Sequence, residues 1–529
     1  MVEFKIKNKN GEICRRCIRT SEIREIMETP EGTAKLRIHE IVFDDEITLW
    51  WTKDEFCYAD GYKLYLDGKL HGEKDKTHYT FSDLHSEQVY RVRIQALKNG
   101  QTVSERELTV ITRPSKNKID ITNAKYGAVG DGKTMNTFSI QKALDDCTEK
   151  DVVIVPKGRY LTGALNIHSN TEVYLAEGAT LMGSKDENDY LPKIKSRFEG
   201  IENMSYRSLL NMGELDRNGE YNCQNVVLRG KGCICGGGIN LHVSMIDAET
   251  ERIQNTEEYK KSYVEHRYLI RDYSIAWRVR GRLINISNAD TVILAGLRLE
   301  YGPAWTIHPI YSRNVITYGC TVTSIGINNG DGWDPDSSEN CVIFDTVFDT
   351  GDDCIAIKSG KNPEGNVINK PSKDIYVFDC RTISGHSGVG VGSEMSGGVE
   401  NVQVWDCDFA GAWYGVHIKA TKERGGYVKN VDVRDCKLSS IVIGSVDYNT
   451  DGASANSMPV FADYHFENIE ISGFHNYYVR VNGFDEEKYA VQNVTLKDIA
   501  LINVAEKKAL RLENCKNLRL ENVTTKLKI

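Results

Sequence analysis

A short strand-like core returns along the second half of the chain: TVILAG at Thr291, NVITYGC at Asn314, CVIFDTV at Cys341, DIYVFDC at Asp374, NVQVWDC at Asn401, NVDVRDC at Asn430, NIEISGF at Asn468, NVTLKDI at Asn493 and NLRLENV at Asn517. The starts fall roughly 23 to 38 residues apart. A repeat of that length cannot bury its apolar face alone, so it stacks on its neighbours and grows along one axis. Five residues after the leading apolar residue of each core stand Leu297, Cys320, Val347, Cys380, Cys407, Cys436, Phe474, Ile499 and Val523. Stacked coils line these positions up as an interior ladder, which explains the thiols among them as small core side chains. The Asn that opens several cores reads as a bend residue, because Asn tolerates the left-handed region and bonds its own backbone.

Helical periods between the cores are missing, which argues against a doubly wound α/β fold. One exception is NTFSIQKALDDCTEK from Asn136, with apolar residues at helical spacing and Asn136 or Thr137 as its cap. It reads as a single helix plugging the N-terminal end of the solenoid, where an open edge invites pairing. The expected fold is therefore all-β, a right-handed parallel β-helix over residues 115–529.

A different pattern precedes it. From about Leu36 to Thr112 the runs IHEIVF, ITLWW, YKLYLDGK, VYRVRIQAL and ELTVITR are separated by turn signals. Trp50 and Trp51 stand where a sandwich needs a core indole. Leu84 followed by Tyr90 resembles the tyrosine corner of an immunoglobulin-like sandwich. Residues 26–114 thus resemble a small fibronectin type III domain, a structural module with no cluster of catalytic residue types. Residues 1–25 read as an irregular segment, and Arg113 to Lys118 as the linker.

Bulk properties narrow the function. With 45 Gly and only 10 Pro in 529 residues, the chain suits many tight turns between short strands. A net charge of −9 argues against general nucleic-acid binding, and no apolar run has membrane-spanning or signal-peptide length. The 14 Cys are scattered rather than packed as a disulfide scaffold. Without an export signal they read as reduced thiols, and a cytoplasmic location is expected. Cys14 and Cys17 form a CxxC, but no second ligand pair stands at zinc-finger spacing.

Acids concentrate in NNGDGWDPDSS (Asn328 to Ser338) and GDDCIAIKSG (Gly351 to Gly360), on successive coils. Asp331 is expected on one face with Asp352 and Asp353. Adjacent strand residues point to opposite sides, so Asp352 and Asp353 share a cleft only if the chain bends there, as Gly351 permits. Carboxylates on one outer face fit a general acid and base for glycosidic cleavage, crowding of like charge keeping one of them protonated. A solvated acidic surface or a calcium site is equally open from spacing alone, although EF-hand spacing is absent. Later coils add His386, His417, Lys419, Lys422 and Arg424. Cations beside carboxylates are what cutting an anionic sugar requires, but an ordinary solvated loop would look the same. His308 in WTIHPI reads as structural.

These motifs, in this order, resemble glycoside hydrolase family 28, the polygalacturonases, from about Ile119 to near the C-terminus. The opening stretch is YGAVGDGKTMNTFSIQKALDDC followed by VVIVPKGRYLTG. The family's Asn-Thr-Asp appears as Asn329-Gly330-Asp331, its Asp-Asp as Asp352-Asp353, its Gly-His-Gly as Gly385-His386-Ser387 and its Arg-Ile-Lys as His417-Ile418-Lys419. The resemblance implies that Asp352 is the general acid, that Asp331 and Asp353 activate water, and that His386 tunes the acid. It further implies that Lys419, with Asn329, His417 and Arg424 nearby, contacts the substrate, and that cleavage proceeds with inversion, without cofactor or metal. The implied partner is a pectic oligosaccharide, with oligomeric state left open.

Three departures stand out. His417 replaces a forked guanidinium with a group that makes one bond and can be neutral. Gly330 and Ser387 are milder changes. The insertion KNPEGNVINKPSK (Lys361 to Lys373), with SEMSGGV and the N-terminal sandwich, resembles bacterial exo-acting members, whose loops wall off one end of the groove. The leading expectation is an exo-acting galacturonidase. Alternatives are a hydrolase of rhamnogalacturonan or another substituted pectic fragment, a pectin or pectate lyase, and a non-catalytic carbohydrate-binding solenoid.

Overall fold

The computed structural model describes residues 2–7, 13–18, 38–257, 275–447, 452–473, 478–503 and 509–526. Two compact units emerge, Met1–Lys116 and Asn117–Ile529.

The first unit opens with a correction. Residues 1–25, expected to be irregular, contain an antiparallel pair, Val2–Lys7 against Ile13–Ile18, with Val2 opposite Ile18. The sequence held the signal: VEFKIK alternates apolar and charged residues at strand period, and Asn10-Gly11 is a hairpin dipeptide. The side chains of Cys14 and Cys17 lie outside the described residues, as do residues 26–37.

From Ile38 two antiparallel sheets follow. One joins Ile38–Val42, Ile47–Trp51 and His78–Phe81; the other orders Lys69–Lys74, Gly61–Leu66, Val89–Lys98 and Gln101–Ile111. Lys69–Lys74 escaped the sequence reading because Leu70 is its one apolar residue, and His78–Phe81 because its alternation of Tyr79 and Phe81 spans only four residues. Trp51, Phe56 and Tyr62 pack edge to face with ring centroids 4.9–5.7 Å apart. Tyr90 forms the expected corner: its Oη accepts the His85 N–H at 2.8 Å.

The second unit is a parallel β-helix. Its strands follow one another around three faces and pair, coil on coil, with their equivalents in the next turn. One interior column runs in register from Cys341 through Ile375, Val402, Val431 and Tyr464 to Val494. The bend residues behave as expected: Asn314, Asn401, Asn430, Asn493 and Asn517 have φ of 54–57°. Several bond to each other between coils, Asn430 donating to Asn401 at 3.2 Å and Asn517 to Asn493 at 2.9 Å.

The ladder of thiols needs two corrections. Pairing of Val347 with Thr321 and Arg381 puts Thr346, not Val347, between Cys320 and Cys380. Cys436 pairs with Ile469, which pairs with Ile499, so Ile469 takes the position assigned to Phe474, a residue outside those described. Both slips have one cause. In those coils the leading interior residues are Cys341 and Tyr464, and counting from Val342 and Ile469 displaces the phase. Beside this ladder, Tyr318, Phe344, Phe378 and Trp405 stack face to face at 5.0, 4.8 and 4.4 Å.

Helix Thr137–Asp145 exists and buries Ile140, Ala143 and Leu144 with the first coils. Its cap differs from expectation. Asn136 occupies the N-cap position without capping; its Oδ1 accepts from the Val129 N–H, and Thr137 Oγ1 accepts from the Gly163 N–H. A longer helix, Gly238–Ile253, was not anticipated. Leu241, Met245, Glu249 and Ile253 form its buried stripe, and the Gly run before it hides its start. The linker is also shorter than read, since a strand begins at Asn117.

The corrected ladder has a measurable consequence. Ile469→Ala, at a site 2% exposed, is expected to cost about 2–5 kcal/mol, seen as a lowered thermal unfolding midpoint. Val347→Ala, half-buried, is expected to cost less than about 1 kcal/mol.

Candidate active site

The third face of the solenoid carries the site. Ile307 bridges to Trp333, which bridges to Ile355, and that strand pairs with Val389 and then Val416. The Thr306 N–H donates to the Asp331 carbonyl at 2.8 Å and the Gly332 N–H to the Asp353 carbonyl at 3.0 Å. Backbone pairing thus sets Asp331 one coil from Asp353.

Asp352 and Asp353 lie at a bend between strands Val347–Asp349 and Ile355–Ile357. Gly351 is required there, because a Cβ would stand 2.2 Å from the Ile327 carbonyl oxygen. Thr350 Oγ1 donates to the Asp352 carbonyl at 2.7 Å, and the Asp353 N–H donates to Asp352 Oδ1 at 3.0 Å. Both side chains consequently reach one cleft of about 340 Å³, lined also by Asp331, His386, Lys419, His417, Tyr414, Asn328, Asn329, Lys358, Ser393, Glu394, Trp305 and Glu199.

The carboxyls in this cleft are held in different states. Asp353 accepts from Lys419 Nζ at 3.1 Å and from His386 Nδ1 at 2.9 Å. Burial opposes its ionisation, but these cations outweigh it and hold the carboxyl well below the usual range. Asp352, 31% exposed, has its Oδ1 3.9 Å from His386 Nδ1. Loss of water around it, then repulsion from Asp331 and Asp353, lifts it to about 7. Burial lowers the basicity of His386, but the Asp353 hydrogen bond and charge more than restore it. His417 is buried and held well below its usual value by burial and by Lys419, so it is neutral. Its Nδ1 has no hydrogen-bond partner.

Seven of the eight sequence-derived residues, Asp331, Asp352, Asp353, His386, Lys419, His417 and Asn329, line the cleft. Asn329 is already engaged, its Oδ1 accepting from Arg280 at 2.7 Å and from Trp277. Arg424 is the exception. It is fully buried, donates to the Ser393 carbonyl at 3.1 Å and to Asn362, and does not line the cleft. Its KERGG setting suggested an exposed loop, but the side chain folds under the cleft wall. Lys422 is exposed and outside the lining. His308 is fully buried with its ring pushed down to about 3 by burial, in keeping with a structural role.

Sequence reasoning missed Lys358, Asp334 and Glu394. Lys358 Nζ lies 3.2 Å from Asp331, 3.5 Å from Asp334 and 3.8 Å from Glu394, and 4.6 Å above the Trp305 ring. All four charged groups sat in quoted segments; only the coil register reveals that they converge. Glu199 was missed too. It belongs to an antiparallel hairpin, Ile194–Phe198 with Ile201–Ser205, and pairs with Arg278 at 2.8 Å. The next residue, Gly200, accepts the Lys361 N–H at 3.0 Å, joining this hairpin to the 361–373 insertion. A cation could be held by Asp352, Asp353 and His386, whose ligand atoms lie within 4.8 Å of one another.

A cleft on a parallel β-helix, with one carboxyl near neutrality beside another kept ionised, defines a glycoside hydrolase. Residues 272–524, just under half of the chain, match the model for glycosyl hydrolases family 28. It is 25% identical over 499 residues to an exo-poly-alpha-D-galacturonosidase of Dickeya chrysanthemi, covering 84% of this chain and 82% of that one. A probable polygalacturonase of Vitis vinifera is 30% identical over 333 residues, and the chain spans 60% of its length as of its own. Among solved structures, an exopolygalacturonase of Thermotoga maritima superposes with a TM-score of 0.63 at 27% identity, covering 77% of this chain and 92% of that one. A family 28 exopolygalacturonase of Yersinia enterocolitica has the same fold, with a TM-score of 0.74 at 22% identity over 93% and 98% of the two chains.

The bend that carries the acids leaves no room at Gly385, where a Cβ would come within 2.4 Å of Cys354 Sγ and 2.7 Å of Thr350 Oγ1. Gly385→Ala is expected to displace Thr350 and with it Asp352, lowering kcat by about tenfold or more with a smaller change in KM. Steady-state kinetics beside a thermal unfolding control check this.

Proposed function

We propose that the chain hydrolyses α-1,4-galacturonosidic linkages of pectic oligosaccharides, acting from a chain end and with inversion. The observation that carries this reading is the convergence of Asp331, Asp352 and Asp353 on one cleft, with Asp353 bonded to Lys419 and His386 while Asp352 stands 3.9 Å from His386. Asp352, protonated, gives its proton to the leaving glycosidic oxygen. Asp331 and Asp353 orient a water on the opposite face of the sugar and take up its proton as it attacks the anomeric carbon. His386 and Lys419 act through Asp353, keeping it ionised. Exo action is supported by the hairpin over residues 194–205, whose Glu199 lines the cleft while Gly200 is tied to the 361–373 insertion. In this reading the hairpin closes one end of the groove, so that only a chain terminus fits. The stacked free thiols Cys380, Cys407 and Cys436 support work in a reducing, cytoplasmic compartment on short oligosaccharides.

His417 favours a second reading for the sugar above it. A neutral imidazole with an unsatisfied Nδ1 gives a free uronate little attraction and suits a substituted or neutral residue, as in rhamnogalacturonan fragments. His417→Arg is expected to raise kcat/KM on unsubstituted oligogalacturonides by about tenfold; no change would remove His417 from substrate selection.

Incubation with defined oligogalacturonides, followed by NMR, is expected to show stepwise release of galacturonic acid with the anomeric configuration inverted. Mid-chain fragments or an unsaturated product would defeat the reading. Asp352→Asn is expected to lower turnover by about 10²–10⁴-fold. Because the acid must be protonated, and its carboxyl titrates at about 7, activity is present below that pH and lost as pH rises through it.

A further inference from the structure

At the cleft wall, the Lys358 ammonium faces the carboxylates of Asp331, Asp334 and Glu394 at 3.2, 3.5 and 3.8 Å. All four groups are buried: Asp334 is 0% exposed, Asp331 3%, Lys358 4% and Glu394 6%. With Glu394 also facing Arg424 and Lys361, one ammonium is left to balance two carboxylates, Asp331 and Asp334, in so dry a place. The hydrogen bonding carries the same message. Asp331 Oδ1 and both oxygens of Asp334 are buried acceptors with no hydrogen-bond donor. Two acceptor-only carboxylates side by side become satisfied once one of them carries a proton and donates it to the other.

We propose that Lys358 and Asp334 are positioning residues for Asp331, Lys358 holding it as a carboxylate and Asp334, protonated, donating a hydrogen bond to it. The direction of that bond follows from the surroundings. Asp331 has the shorter contact with Lys358 and lines the cleft, whereas Asp334 does not line it and has only the longer one. Burial, then the neighbouring Asp331 charge, raises Asp334 well above the usual carboxylate range. Asp331 is also raised by burial, against the pull of Lys358, which makes the ammonium the group that decides whether Asp331 can serve as a base. Glu394 is ionised, held down against burial by Lys358, Arg424 and Lys361. The other titratable or charged groups facing the cluster are Asp352, which Asp331 repels, Asp353, itself neutralised by Lys419, and Arg282, which packs over Trp305 with its guanidinium carbon 5.0 Å from the ring centroid. Lys358 Nζ also lies 4.6 Å from the Trp305 ring centroid, a cation–π contact.

The inference rests on the hydrolase reading, because only a base needs Asp331 ionised. The test therefore has one arm independent of turnover. Infrared difference spectra of the full chain at neutral pH, wild type minus Asp334→Asn, are expected to contain a carboxylic-acid band; its absence overturns the proton on Asp334 whatever the substrate. The kinetic arm follows kcat/KM against pH on the best oligogalacturonide for Lys358→Met, Lys358→Arg and Asp334→Asn. Lys358→Met is expected to move the acidic limb up by about one pH unit or more and to lower turnover at neutral pH by about tenfold or more. Lys358→Arg, which keeps the charge, is expected to restore the limb. Asp334→Asn, which keeps the donor, is expected to leave the limb in place. A lysine serving only packing would lower activity at every pH without shifting the limb. That result in Lys358→Met, or a shift in Asp334→Asn as large as in Lys358→Met, overturns the proposal. If Lys358→Met does not fold, the Lys358→Arg and Asp334→Asn profiles decide, since a displaced acidic limb in both contradicts it.

Discussion

The hydrogen bonding of each coil to the next is the constraint on which the rest of this molecule depends. Around the third face, the pairing from Ile307 through Trp333 and Ile355 to Val389 and Val416 brings together residues that are far apart along the chain. The groups of the candidate site are accordingly not held by a loop closing over a pocket. They are held by the pitch of a solenoid, and each acid stands about one strand spacing, ~4.8 Å, from the coil above or below. Crowding of charge at that spacing follows from the fold itself, and the protein manages it with cations set against the carboxylates: Lys419 and His386 at Asp353, and Lys358 at Asp331.

Much of this was legible in the sequence, for a physical reason. A solenoid repeats its local chemistry, so the Asn corners and the thiol column each recur often enough to be counted. The acids Asp331, Asp352 and Asp353 were legible because Gly and Asp runs interrupt an otherwise apolar strand pattern. Where the reading failed, the missing information was phase or tertiary convergence. The ladder slipped at Val347 and Phe474 because Cys341 and Tyr464, rather than the expected aliphatic residues, lead those coils. Lys358 and Glu394 looked like ordinary polar residues of IKSG and GSE; only stacking shows that Lys358 meets both Asp331 and Glu394 from different coils. Arg424 failed in the opposite direction, since a charged residue in a Gly-rich loop gives no sign that its guanidinium will be buried among carbonyls.

The first unit illustrates a contrast in how sequence specifies structure. Its core gathers the large rings Trp51, Phe56 and Tyr62 with aliphatic residues such as Leu49, Leu64 and Ile94, and one hydrogen bond pins the Tyr90 corner. Losing one such contact is felt across both sheets. The β-helix instead spreads its stability over many equivalent interior positions, which lets individual coils carry polar groups, glycines and insertions at the catalytic face without collapse of the stack.

The hairpin over residues 194–205 has a kinetic corollary. With one end of the groove blocked, as proposed, the liberated sugar and the shortened chain share a single doorway. The polymer cannot thread past the acids in one direction while product leaves in the other. Each cut must be followed by withdrawal and a fresh encounter, which makes the enzyme distributive. Its pace would then be governed by how quickly the doorway clears, a limit that no improvement of the proton-transfer groups can lift.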